Sequence, residues 1–188
     1  TVNEPRDLTL FGGLRGDMES LSLASYFAQV SEVLSQEDYP TPELQSLLLN
    51  SLYVLSELKL PLAQVKAVFE LRSACIAGFT PDLYGCHVCG SQMPTRFDLS
   101  SGLLECAACR DTASAGIRLP ISPAMLEAMR FICFCDPKKL FSFRLDDGAL
   151  EQLAALTEGY LTTQLERGFP ALDFYKSLCF RADTPGAT

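Results

Sequence analysis

Apolar residues recur every three or four positions over most of the chain, which is the spacing of one buried face of an α-helix. The pattern predicts six helices. They cover residues 17 to about 36, 42–58, 61–77, 123–135, 147 to about 167, and 170–178. Thr41 and Ser122 each precede a proline, and a capping residue followed by proline is a strong helix start. Gly78 is the matching stop for the third helix.

The stretch between the third and fourth helices breaks this pattern. Residues 95–99 and 103–104 form two short runs around Ser100-Ser101-Gly102, an order that predicts strand, turn and strand. A later run, 138–144, fits either a short strand or an extended loop. The sequence therefore predicts a mainly α-helical fold, a helical bundle-like domain with an inserted β-hairpin. The expected divisions are a leading segment 1–16, helical parts 17–83 and 113–180, the insert 84–112, and a tail 181–188.

The insert carries two Cys-x-x-Cys pairs, Cys86/Cys89 and Cys106/Cys109, with sixteen residues between them. Each pair can bind one metal ion from a tight turn, and the hairpin between them is long enough to bring the pairs together. The spacing is typical of four-cysteine zinc ribbons, and Gly90 suits the turn after Cys89. Four thiolates leave no open coordination position, so we expect structural rather than catalytic Zn²⁺.

Two disulfides or an iron–sulfur cluster are the alternative uses of these four cysteines. Disulfides require an oxidising compartment, whereas the start of the chain shows no signal-peptide-like apolar stretch and the sequence no transmembrane run. The evenly divided pairs fit zinc better than the cysteine runs of ferredoxin-type clusters. We therefore expect a cytoplasmic protein.

Composition is that of an ordinary globular protein, with 48% apolar and 20% charged residues. The net charge of −8 argues against a surface coated for nucleic-acid binding. However, residues 61–145 hold nine Lys/Arg against seven Asp/Glu, whereas the segments on either side hold six against sixteen. Any contact with a polyanion is therefore expected within residues 61–145. The alternative is that the difference in charge between these segments is ordinary surface variation.

Four further cysteines, Cys75, Cys133, Cys135 and Cys179, lie among apolar residues. Free cysteine in such surroundings packs as a small hydrophobic residue, so we expect these four to be packing residues that stay reduced. A redox role for Cys133 and Cys135 would need a thiol of lowered pKa. No cationic residue adjoins either one in the sequence.

Motifs for catalysis are not found in the sequence. The single histidine, His87, lies inside the first cysteine pair. It is therefore a poor candidate for the histidine of a catalytic triad. We interpret it as a solvated residue of the turn, with replacement of a cysteine ligand as the minor alternative. Gly12, Gly13 and Gly16 do not have the spacing of a dinucleotide-binding loop. We expect no enzymatic activity.

A resemblance to a known family begins where the third helix meets the first cysteine pair. The run there is Val68-Phe-Glu-Leu-Arg-Ser-Ala-Cys-Ile-Ala-Gly-Phe-Thr-Pro-Asp-Leu-Tyr-Gly-Cys-His-Val-Cys-Gly90. It resembles the centre of RecO, a family of bacterial DNA repair proteins. Residues 102–109 and the segments around 160 and 176–178 are also similar, so the resemblance covers most of residues 17–179.

The resemblance implies a recombination mediator that is located at the bacterial nucleoid and has no role at membranes. Members bind single- and double-stranded DNA, anneal strands, contact RecR and the C-terminal tail of the single-stranded DNA-binding protein, and help to load RecA. The four cysteines of the two pairs carry over as zinc ligands. In the family an OB-fold precedes this region, and only residues 8–11 fit a last remnant of it. The chain is therefore expected to lack that domain and to bind DNA weakly or not at all by itself.

DNA- and partner-contact residues do not carry over position by position, so the candidates come from residue chemistry. Lys66 and Arg72 beside Phe69 would suit an acidic, apolar peptide tail, which needs a hydrophobic slot with cations at its rim. The alternative is a helix that packs Phe69 inward with its charges in water. Cations that either meet phosphate or simply lie solvated on the surface are Arg96, Arg110, Arg118, Arg130, Lys138, Lys139 and Arg144.

The leading hypothesis is therefore a RecO-like mediator that binds DNA and proteins. The alternative is a zinc-stapled helical scaffold that binds only proteins and has no role at DNA. Continuation of the encoded chain upstream into the short alternating strands of an OB-fold would favour the mediator.

Overall fold

The structure, a computed structural model, describes residues 14, 16–35, 41–58, 60–109 and 116–182, with side chains through residue 179. In these ranges it contains six α-helices and one three-stranded antiparallel sheet. The helices are α1 Met18–Leu34, α2 Pro42–Tyr53, α3 Leu62–Ile76, α4 Pro123–Phe134, α5 Asp147–Leu165 and α6 Pro170–Ala182. The strands are β1 Arg96–Asp98, β2 Leu104–Glu105 and β3 Arg118–Pro120. The predicted mainly α-helical fold with a small sheet is confirmed.

The helix ends follow the local signals of the sequence. The Ser122 hydroxyl oxygen accepts a hydrogen bond from the Met125 N–H at 3.2 Å, which caps the start of α4. Gly78, with φ of 93°, follows the end of α3, where the Phe79 N–H donates to the Ala74 carbonyl at 2.8 Å. Helices commonly end at a residue in the left-handed backbone conformation, which is usually glycine and sometimes asparagine. The helix predicted over 42–58 also forms, and its last five residues, Val54–Leu58, make a π-helical turn.

The chain divides into two compact units, Thr1–Leu62 with Phe169–Thr188, and Ala63–Gly168. In the first unit α1 packs against α6, and the Tyr26 ring meets the Phe169 ring edge-on at 5.4 Å. The buried face of α1 includes Leu23 and Phe27. Leu21 lies on the outer face of the helix and is 44% exposed.

In the second unit α3 is buried on all sides from residue 64 to residue 71, although its sequence predicts only one apolar face. Two charged residues lie inside this stretch. The Lys66 ammonium is 3.0 Å from a Glu70 carboxylate oxygen and 2.7 Å from a Glu158 oxygen. The Thr157 hydroxyl donates to Glu70 at 2.7 Å. Buried charges in proteins are paired in this way or bind metals. Because residues 64–71 are buried on all sides, α3 is the central helix of the unit.

The sheet has the order β2-β1-β3, with Phe97 of β1 opposite Leu104 of β2 and Leu119 of β3. The hairpin of β1 and β2 matches the predicted strand–turn–strand. Strand β3 was not predicted, because three residues that end in proline carry no alternating pattern. Residues 140–144, the greater part of the run 138–144, form no strand, so the extended loop is the correct interpretation.

Helix α5 holds the sheet in the second unit. The Phe97 ring packs edge-on against the Tyr160 ring at 5.2 Å between centroids. The Tyr160 hydroxyl donates to the Phe79 carbonyl at 3.0 Å, and the Gln164 amide donates to the Leu99 carbonyl at 2.9 Å. The cysteine-bearing turns are therefore built on a sheet that is anchored to a helix.

Candidate metal centre and the surrounding surface

The four cysteine sulfurs of the two pairs converge on one point. The sulfurs of Cys86, Cys89, Cys106 and Cys109 all lie within 4.8 Å of one another, and the Cys89–Cys106 separation is 3.8 Å. A tetrahedral zinc ion with Zn–S bonds of about 2.3 Å requires sulfur–sulfur edges of about 3.8 Å. The donor set and its dimensions therefore fit a single tetrahedral metal ion.

The first cysteine pair sits on a turn that closes on itself. The Cys86 N–H donates to the Ser91 carbonyl at 2.9 Å, and the Gly90 N–H donates to the Cys86 carbonyl at 2.8 Å. Gly90 has φ of 72°, a left-handed conformation that glycine adopts without a steric cost. A side chain at Gly85 would approach the Ser91 carbonyl oxygen to 2.9 Å. These two glycines account for the tightness of the turn.

The second pair follows β2 directly. Cys106 is the residue after the strand, and the 3-10 turn Ala107–Cys109 follows it. In this turn the Cys109 N–H donates to the Cys106 carbonyl at 3.1 Å, which places the second sulfur next to the first. A β-bridge between Cys86 and Leu104 ties the two turns together. The hairpin thus carries one pair to the other, as the sixteen-residue spacing predicted.

Backbone N–H groups favour a thiolate in the first turn. Burial opposes ionisation of Cys86, yet the N–H groups of Cys89, Cys106 and Val88 point at its sulfur and lower its pKa to about 6. A hydrogen bond with Cys89 raises the pKa of Cys109 to about 12. Because thiolates rather than thiols bind metals, a cation at the centre of the four sulfurs would replace these shared protons.

His87 lies on the rim of the centre and outside the four-sulfur set. Its side chain is exposed, and its Nδ1 atom is 3.2 Å from the Leu104 carbonyl oxygen. This placement agrees with a solvated residue of the turn.

Arg118, one of the predicted phosphate contacts, is already engaged within the sheet. Its Nε atom is 2.8 Å from a Glu105 oxygen and 3.7 Å from an Asp98 oxygen, and its side chain is 10% exposed. The guanidinium neutralises two buried carboxylates, one on β1 and one on β2. A phosphate would have to displace these partners.

Arg130 on α4 is half-buried and holds the chain just before the metal centre. Its Nε donates to the Leu83 carbonyl at 2.9 Å, one Nη donates to the Tyr84 carbonyl at 3.3 Å, and the other is 2.6 Å from Glu127. Its charge is thus largely committed to positioning the backbone at the first cysteine pair.

The remaining predicted cations differ in exposure. Lys138 and Lys139, on the 3-10 turn Pro137–Lys139, and Arg144 are exposed, whereas Arg96 on β1 is half-buried. Arg110 lies outside the residues that the structure describes. The accessible positive charge of the predicted set is therefore concentrated after α4.

The predicted peptide slot at Lys66, Phe69 and Arg72 is not open to solvent. Phe69 is fully buried and Lys66 is enclosed by its two carboxylates. Arg72 donates to the carbonyls at the end of α4, those of Ile132, at 3.2 Å, and Cys133. The structure thus shows the alternative in which Phe69 packs inward, except that Lys66 is buried as well.

The sequence did not identify an open groove of about 630 Å³ between α4 and the segment after it. Phe131, Phe134 and Phe143 line it together with Arg130 and Arg144. The Phe131 and Phe143 rings meet edge-on at 5.9 Å, while Phe134 is 61% exposed. The sequence signal that could have revealed this groove is the phenylalanine-rich stretch 131–143, which lies between Arg130 and Arg144.

Fold and site together define a helical protein with a four-cysteine metal centre on a small sheet, and comparison with known proteins names its family. The model described as "Recombination protein O C terminal" matches residues 15–173. DNA repair protein RecO of Acetivibrio thermocellus is 31% identical over 184 residues, which cover 95% of this chain and 71% of the relative. RecO of Desulforudis audaxviator is 29% identical, covering 94% and 70%. The chain belongs to the RecO family, which places it in DNA repair and recombination.

The helices were also compared with the requirements of a membrane span. Within the described residues, none has both the length and the apolar character to cross a bilayer.

Proposed function

We propose that this chain is a recombination mediator that acts by binding rather than by catalysis. It contacts single- and double-stranded DNA, binds RecR and the C-terminal tail of the single-stranded DNA-binding protein, and thereby supports strand annealing and RecA loading. The observation that carries the proposal is the phenylalanine-lined groove beside α4, in a chain that belongs to the RecO family.

The groove has the chemistry that an acidic, apolar tail requires. Phe134 and its aromatic neighbours offer apolar surface to a hydrophobic terminal side chain. Arg144 is exposed and can pair with a terminal carboxylate or an acidic side chain. Arg130, which also lines the groove, is paired with Glu127, and a bound carboxylate would take the place of Glu127. The peptide site expected around Phe69 is therefore proposed here instead.

Peptide binding tests the groove directly. Fluorescence anisotropy with a labelled peptide of the tail sequence should show saturable binding that Phe134→Ala and Arg144→Ala each weaken at least about tenfold. Phe174→Ala on α6 is the matched control, because Phe174 is also exposed, at 49%, and lies in the other unit. Equal binding by Phe134→Ala and Phe174→Ala would exclude the groove as the site.

DNA contact is proposed for the exposed cations Lys138, Lys139 and Arg144. They lie close together in sequence, after α4, and all three are exposed. Arg118 and Arg130 are left out because protein groups already hold their charges. Phosphate contacts of this kind give weak, sequence-independent binding, which suits a protein that must release DNA after annealing.

Structural Zn²⁺ is proposed for the four-cysteine centre. The four sulfurs fit a tetrahedral ion, and a closed set of four thiolates offers no position for a substrate. The ion would hold the two turns together and so preserve the surface around Arg130. Elemental analysis of the purified protein should find one zinc per chain, released by mercury-based thiol reagents. Iron with visible absorbance would instead show a cluster.

Strand-annealing and pull-down assays with the full-length encoded protein separate the mediator from a purely protein-binding scaffold. A mediator accelerates the annealing of complementary oligonucleotides and retains RecR on a column. A scaffold that binds the tail peptide but neither accelerates annealing nor retains RecR would refute the proposed role at DNA.

A further inference from the structure

Two cysteines outside the metal centre meet inside the second unit. Cys75 lies in the last turn of α3 and Cys133 in the last turn of α4, 58 residues apart in sequence. Their sulfur atoms are 3.5 Å apart. A side-chain adjustment of about 1.5 Å would bring them to the length of a disulfide bond, about 2.05 Å. The two cysteines predicted as reduced packing residues are both free, and they face each other.

A cation lies beside this pair, although none adjoins Cys133 in the sequence. Arg72 is three residues before Cys75 on α3 and donates to the carbonyls of Ile132 and Cys133. The guanidinium is thereby held at the end of α4, next to both thiols. A neighbouring arginine is one of the features that make a protein thiol reactive.

The two thiols are unequal in ionisation and in exposure. The hydrogen bond between the two thiols lowers the pKa of Cys75 against the effect of burial, and Thr80 and Arg72 act in the same direction. The same hydrogen bond and burial raise the pKa of Cys133. Cys75 is partly exposed, whereas Cys133 is buried. Cys75 is thus placed to react first, and Cys133 to react second.

We propose that Cys75 and Cys133 form a reversible disulfide when the protein meets a peroxide. The bond would join the last turn of α3 to the last turn of α4, where Phe131, Phe134 and Cys135 line the groove. Oxidation would thereby fix the end of α4 that carries the proposed peptide site. This device does not depend on the proposed function, because it concerns the covalent state of two residues.

The reaction is balanced with hydrogen peroxide as oxidant. The Cys75 thiolate attacks one peroxide oxygen, the O–O bond breaks, and the departing hydroxide takes up a proton to become water. The sulfur of Cys133 then attacks the sulfenic sulfur of Cys75. The S–S bond forms, and the sulfenic hydroxyl leaves with the Cys133 proton as a second water. The two sulfurs lose two electrons together, and the peroxide gains them.

The test is peptide mapping of the metal-loaded protein after graded treatment with hydrogen peroxide, with free thiols alkylated before digestion. The expected product is one cross-linked pair of peptides holding Cys75 and Cys133, lighter by two hydrogen atoms and restored by dithiothreitol. It should appear at peroxide concentrations that leave the metal bound. Cys135→Ser is the matched control, since Cys135 lies two residues beyond Cys133, and it should leave the cross-link unchanged.

Single variants separate the two roles. In Cys133→Ser the sulfenic acid of Cys75 has no partner, so labelling by dimedone should rise several-fold over the wild type. In Cys75→Ser the buried Cys133 should remain a thiol. A purely structural pair would show no rise in dimedone labelling in Cys133→Ser. The proposal is overturned if both cysteines stay alkylatable while the metal-centre thiols oxidise, if Cys75 reaches the sulfinic acid without a cross-link, or if it pairs with Cys135.

Discussion

Tyr160 connects the metal-bearing sheet to the helical core of the second unit. Its ring packs on Phe97, its hydroxyl donates to the Phe79 carbonyl, and a side chain at Gly102 would approach that hydroxyl to 2.8 Å. Gly102 also has φ of 68°, so glycine is favoured there for two reasons. One buried phenol thus determines how closely the hairpin approaches α5.

Replacing this phenol tests the hydrogen bond. Tyr160→Phe keeps the ring contact but leaves the Phe79 carbonyl without its donor, which should lower the free energy of unfolding by about 0.5–1.5 kcal/mol. Urea unfolding at pH 7 measures the change. Tyr53→Phe is the control, because Tyr53 is exposed and its hydroxyl contributes little to the fold.

The pH dependence of the same variant gives an independent prediction. Burial raises the pKa of Tyr160 above its ordinary value of 10.0. The folded state therefore retains the phenol proton at a pH at which the unfolded chain has lost it, and stability present below pH 10 is lost as pH rises further. Unfolding curves between pH 8 and 11 should show the stability advantage of the wild type over Tyr160→Phe shrinking above pH 10. A constant difference would contradict the assignment.

Lys66 is the clearest case of a charge that the core requires. Removing it in Lys66→Ala leaves Glu70 buried without its cation, and loss of one partner of a buried pair costs about 3–5 kcal/mol. Burial already raises the pKa of Glu70, so the lone carboxyl would take up a proton. Urea unfolding should show the loss, whereas Lys138→Ala, at an exposed lysine, should leave the midpoint unchanged.

At the scale of elements, the small sheet and the helices have different sources of stability. Strands of two or three residues do not persist in water without a further constraint. The helices are stabilised by burial, since residues 64–71 of α3 are all inside the core. We therefore expect a metal ion bound by the four cysteines to stabilise local order in the insert, while the helices depend on their packing.

Loss of the metal should separate these two parts. In Cys86→Ala, or after chelation, residues 84–109 should lose amide-exchange protection while α3 and α5 keep theirs. Hydrogen-exchange mass spectrometry measures both in one experiment, with Cys135→Ala as the control that keeps all four ligands. If α3 loses protection as fast as the insert, the influence of the metal extends through the whole unit.

At the scale of the whole molecule, the net charge opposes the proposed contact with DNA. The net charge of −8 repels a polyanion, so binding must rely on the locally positive region. Removal of one cation that binds a phosphate should make the dependence of affinity on salt less steep, by about 0.7 in the logarithmic slope for single strands. Anisotropy titrations from low to physiological salt should show this for Lys138→Ala, Lys139→Ala and Arg144→Ala. Lys176→Ala, on α6, should leave the slope unchanged.

The sequence alone determined the features that depend on neighbours in the chain. Helix starts at Ser122 and Pro42 and the stop at Gly78 rest on hydrogen bonds and backbone angles within a few residues, so composition and spacing reveal them. The two cysteine pairs were recognisable for the same reason, because each pair closes on one turn and the hairpin between them is local. The resemblance to RecO rested on these same segments.

Tertiary structure decided the features that join distant segments. The burial of Lys66 requires Glu158, the approach of Cys75 to Cys133 spans 58 residues, and strand β3 forms only because β1 offers it a free edge. The groove beside α4 likewise needs Phe143 to fold back on Phe131. Such interactions depend on how helices pack, and packing among many similar apolar side chains leaves no local signal in the sequence.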